Sequence, residues 1–60
     1  MRTKFFVNGQ KVTKVMLENV LGKKQLQNFI IDAKQTFMMD PNVQNDYYLG
    51  SYGMLTIIFE

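Results

Sequence analysis

Residues 4–13 read Lys4-Phe5-Phe6-Val7-Asn8-Gly9-Gln10-Lys11-Val12-Thr13, with Asn-Gly set between two short apolar-rich runs. Both residues of a tight type I′ hairpin turn need positive φ, which Asn and Gly supply most readily. The turn fixes a register in which Val7 faces Gln10, Phe6 faces Lys11, Phe5 faces Val12 and Lys4 faces Thr13. Side chains alternate along a strand, so Phe5, Val7 and Val12 share one face, while Lys4, Phe6, Lys11 and Thr13 share the other. The first face suits a core. The second carries a large aromatic, Phe6, on the side expected to be wet.

Working outward, Thr13 is placed as the N-cap of a first helix over 14–21, although Met16 stands where a capping box would have Glu. Gly22 follows as a left-handed break, with fusion to the next helix through a kink as the alternative. Leu26, Phe29, Ile30, Ala33 and Phe37 fall at helical spacing and predict a second helix over 23–39. Pro41 stops it, since the residue before a proline is pushed out of the α region. Ile31 and Met38 lie off the main stripe and form a second apolar spot, open either to the first helix or to another molecule. Residues 41–46 read as a polar loop, Tyr47-Tyr48-Leu49 as a short strand or extended segment and 50–53 as a turn. In the closing strand Leu55, Ile57 and Phe59 alternate with Met54, Thr56 and Ile58, both sets being largely apolar, which implies burial on two sides or an interface. The expectation is one α+β domain over 1–60 of ββα(α)β type. The hairpin and the last strand share a mostly antiparallel sheet, with one main amphipathic helix packed on it.

Sixty residues bury only about 60% of their unfolded surface, so a lone domain of this size is marginal. The chain has no Cys and no His, which removes disulfides and ordinary zinc sites and leaves oligomerisation as the stabilising device. A homodimer is the expected state, two-fold dimers being the commonest assembly. The apolar runs fall far short of the ~20 residues that span a bilayer, and no apolar stretch near the start makes a signal peptide. The reading is a cytoplasmic protein with no membrane partner.

Chemistry is sparse. Ser51, the only serine, sits among glycines with no imidazole to activate it. The loop from Asp40 to Asp46 places oxygen donors at alternate positions, but it lacks the central Gly and closing Glu of a calcium loop. No catalytic residues, metal ligands or cofactor follow from the sequence, and the expectation is a protein that is not an enzyme.

Binding readings remain. Six of the seven cations lie in the first 24 residues, and the net charge is +2. That asymmetry fits a basic face for an acidic partner, or solvated lysines guarding a sheet edge. For nucleic acid the candidates are Lys4, Lys11, Lys23, Lys24, Gln27 and Asn28, on a β-ribbon or at the start of a recognition helix. Against this stand the very short break at Gly22, the single Arg and the weak net charge. For a protein partner the candidates are Phe6, Ile31, Met38, Tyr47, Tyr48 and Tyr52, because aromatics and Met are enriched in interface cores. Core filling is the competing account of the tyrosines.

The stretch Lys4 to Thr13, leading directly into a helix, resembles the opening of many very short proteins of phages and mobile elements of Gram-positive bacteria. It covers about a fifth of the chain and points to no named family. The resemblance implies a stoichiometric antagonist of a host protein, anti-defence inhibitors included, or a small regulator. Function is therefore expected to be protein binding to a host target, with a small DNA-binding transcriptional regulator as the alternative.

Overall fold

The computed structural model describes residues 2–60. The hairpin forms as β1 (Thr3–Val7) and β2 (Gln10–Val12). Asn8 has φ 53° and Gly9 φ 83°, and the pairs Phe5–Val12, Phe6–Lys11 and Val7–Gln10 take the expected register. The fourth expected pair, Lys4 with Thr13, does not form. Thr13 leaves the sheet to cap α1 (Lys14–Leu21), its hydroxyl accepting from the Met16 amide at 3.2 Å.

Gly22 separates α1 from α2 (Lys23–Met39). Its φ of 87° with ψ of 151° lies outside the left-handed helical well, in a region open essentially to glycine alone. The Gly22 amide still donates to the Glu18 carbonyl and its carbonyl accepts from Leu26, so one residue closes one helix and opens the next. The helices are separate rather than fused.

Beyond α2 come β3 (Asn45–Tyr48), a single 3-10 turn (Gly50–Tyr52) and β4 (Met54–Phe59). The strand region at Tyr47 begins two residues earlier than its composition suggests and excludes Leu49. All pairings are antiparallel and the sheet order is β2-β1-β4-β3, so the domain runs ββααββ.

Register decides which side chains meet the helices. Phe5 pairs with Ile57, Val7 with Leu55, Thr3 with Phe59, Asn45 with Ile57 and Tyr47 with Leu55. These residues share the covered face. Phe5, Leu55, Ile57 and Phe59 bury there with Leu17 of α1 and with Leu26 and Ala33 of α2. Phe37 meets Phe59 at a ring separation of 5.3 Å. Asn45 is the one buried polar residue among those described, and its Nδ2 donates to the Ala33 carbonyl at 3.3 Å. The opposite face has no layer over it among the described residues. Met54 and Ile58 are exposed there, so the two apolar sets of β4 do not signify burial on both sides.

Candidate binding surfaces

Even-numbered β1 and β4 residues build the open face. One row across the sheet reads Lys11, Phe6, Thr56, Asp46 from β2 to β3. Beside it lie Lys4 with Ile58 on one side and Met54 with Tyr48 on the other. Phe6 is half-buried by its strand neighbours, whereas Tyr48 is 77% exposed. Asp46 is held by the Thr56 hydroxyl at 2.6 Å and by the Gln44 side-chain amide at 3.3 Å. Lys4 pairs with Glu60 at 3.0 Å. The result is an apolar strip of Phe6, Ile58, Met54 and Tyr48 between charged margins.

Tyr47 is a correction to the expected interface set. Neighbouring strand residues point to opposite faces, so Tyr47 and Tyr48 cannot share a patch. The Tyr47 ring packs on Phe29 at 4.9 Å, and its hydroxyl donates to Asp32 Oδ2 at 2.7 Å. Burial, then the hydrogen bond and charge of Asp32, push the Tyr47 hydroxyl up to about 12. This residue ties α2 to β3.

Tyr52 belongs to a second surface. It lines a groove of about 180 Å³ with Val7, Val12, Met16, Leu17, Val20 and Leu49, nearly devoid of polar atoms. Tyr52 and Met16 are each 55% exposed at its rim, and Val20, which also lines it, is exposed too. The tyrosines thus form no single cluster. Asn8 anchors the turn behind this groove: its Oδ1 accepts from the Met54 amide at 3.0 Å and its Nδ2 donates to the Tyr52 carbonyl at 3.4 Å. Met16 and Val20 are legible in the sequence as apolar residues of the first helix, but so short a helix does not reveal which of its apolar residues the core leaves uncovered.

Met38, 76% exposed, lies near the end of α2 beside the exposed Met39. Ile31 is exposed as well and lines a basic groove with Lys14, Glu18, Lys23, Gln27 and Lys34. Packing on α1 leaves both Ile31 and Met38 uncovered. A neighbouring groove is lined by Lys4, Lys11 and Lys14, with Ile30 common to the two. Of the nucleic-acid candidates, Lys24 and Asn28 line neither groove. Helices joined by one residue also lack the three- or four-residue turn of a helix-turn-helix.

The Asp40–Asp46 loop spends its carboxylates locally. Asp40 Oδ1 accepts from the Asn42 amide at 3.0 Å, and Asp46 faces Thr56. Among the described residues, no group of three or more acidic side chains converges on a point that could hold a metal ion, and no helix is long and apolar enough to cross a membrane. Comparisons with protein-family models, curated proteins and solved structures give no significant match.

Proposed function

We propose that this chain is a non-enzymatic binding module of a phage or mobile element, which as a homodimer occupies and blocks a functional surface of a host protein in the bacterial cytoplasm. The observation that carries this reading is the groove beneath Tyr52. Its floor is apolar, and α1 leaves Met16 and Val20 exposed along it instead of burying them. Large apolar side chains left exposed around an apolar groove support a surface for a protein partner. Its near-total lack of polar lining suits leucine, methionine or phenylalanine side chains of a protein partner rather than a charged ligand.

The test has two stages. The tagged chain is used to isolate a host protein, and the two purified proteins are then titrated by calorimetry and in an assay of the host protein's activity. Saturation at one chain per target with loss of that activity is expected. Val20→Asp should abolish both while keeping the native circular dichroism spectrum with a modest loss of melting temperature, because Val20 is 43% exposed and the new carboxylate would sit in the last turn of α1. Unimpaired binding by Val20→Asp would remove the groove from the reading.

A second reading, a small DNA-binding regulator, draws on the two basic grooves. Lys14 lines both of them, between Lys4 and Lys11 on one side and Lys23 and Lys34 on the other. Micromolar gel shifts of mixed-sequence duplex with a steep salt slope would favour it over protein antagonism.

A further inference from the structure

We propose that the open sheet face receives a second copy of this chain, the two sheets packing face to face about a two-fold axis parallel to the strands. This rests on the homodimer in the reading above and gives that dimer a surface. Register supplies the geometry. Lys11 at one sheet edge and Asp46 at the other lie in the same row, separated by Phe6 and Thr56. A two-fold axis along the strands exchanges the left and right halves of the row and keeps its height. Lys11 of each copy then stands over Asp46 of the other, and Phe6 stands over Thr56. A backbone pair between Arg2 and Glu60 adds a further row, in which Arg2 is carried over the other copy's Glu60.

The competing two-fold, running across the strands through the same row, would stack Lys11 on Lys11 and Asp46 on Asp46. Like-charge juxtaposition disfavours it. Charge complementarity therefore favours the axis along the strands over the one across them. The Lys11 ammonium has no carboxylate within ion-pair distance in its own copy, among the described residues. The middle of the face, where Phe6, Ile58, Met54 and the Lys4 stem lie, supplies the apolar part, and aligned sheet packing at ~30° is the ordinary geometry for such faces.

Area sets the strength. Four strands at ~4.8 Å spacing and about five residues at ~3.4 Å rise give a flat footprint of roughly 300 Å² per copy. Doubled over two copies, this flat area of roughly 600 Å² lies below the ~1,200 Å² of standard interfaces, so the dimer is a weak, transient one whose specificity comes from the charge pairs.

Analytical ultracentrifugation of the whole chain at low salt, across micromolar to submillimolar concentration, tests the geometry. Lys11→Glu alone and Asp46→Lys alone should each weaken self-association about tenfold or more, since each creates two like-charge pairs across the axis. An equimolar mixture of the two variants should recover dimers to near wild-type strength, because every cross-axis pair is then opposite in sign. Phe6→Asp should be monomeric throughout. Circular dichroism melts accompany each variant, and the mixture is the deciding measurement if Asp46→Lys alone is destabilised by loss of its Thr56 bond. A chain that is monomeric throughout overturns the proposal, as does a mixture that associates no better than its components. Target binding through the groove is read separately with Val20→Asp, so either reading can fail without the other.

Discussion

The two faces of the sheet are made by the same strands, one residue out of step, yet they have different fates. On the covered face Phe5, Leu55, Ile57 and Phe59 are nearly sealed by α1 and α2. On the open face Phe6, Met54, Ile58 and Tyr48 alternate with charge, and none of the described residues forms a layer over them. Apolar alternation in β4 alone cannot tell these faces apart. The difference comes from which residues have a helix opposite them. Stability is concentrated on one side of a single layer, and the other side is left without a layer of its own among the described residues.

The largest contrast should come from neighbouring positions of β4. Leu55→Ala empties a fully buried site and should cost about 2–5 kcal/mol. That is comparable to the roughly 3–9 kcal/mol expected for a domain of this size, so the variant should be largely unfolded in chemical denaturation at 25 °C. Ile58→Ala, on the open face, should change monomer stability by less than about 1 kcal/mol under the same denaturant series. Equal losses at the two positions would show that the open face is also part of the core.

Gly53→Ala probes the seam between the faces and should cost about 1–3 kcal/mol by the same measurement. Gly53 has φ 101°, and a Cβ there would run into the Asn8 carboxamide. That carboxamide would have to leave Tyr52 and Met54, loosening the groove.

Tyr47→Phe is the smaller perturbation, about 1 kcal/mol at neutral pH from the lost bond to Asp32. Its signature is pH dependence. The folded-state value near 12 exceeds the ordinary one near 10, so between these values the unfolded chain gives up the proton first. The Tyr47 contribution to stability is therefore present below pH ~10 and falls as pH rises toward 12. Thermal melts of the wild type should show that decline, and Tyr47→Phe should flatten this component of it.

What could be read beforehand was local. Asn8-Gly9 dictates its own φ values, Thr13 supplies its own cap, and the stripe from Leu26 to Phe37 follows from helical spacing. Gly22 was legible as a break, though not as the unusual φ/ψ combination that serves both helices. Features that depend on distant pairing were hidden. Tyr47-Tyr48 reads as extended, but Asn45-Asp46 has little strand character of its own and joins β3 because β4 offers it a ladder. That pairing turns Tyr47 inward and Tyr48 outward, and it brings Asn45 beneath the Ala33 carbonyl. The groove was hidden for the same reason, since Tyr52 reaches Met16 and Val20 only after the 3-10 turn is clamped by Asn8.

The strand order β2-β1-β4-β3 also has a consequence for kinetics. The hairpin and the two helices can organise from contacts near in the chain, on microsecond timescales. The sheet cannot be completed that way, because β4 sits between β1 and β3 and pairs Phe59 with Thr3. Closing so long a span comes before its reward, which slows folding relative to local assembly. Until β4 inserts, β3 lacks the strand it pairs with and the helices lack most of the surface they cover. Assembly is thus gated by one long-range insertion.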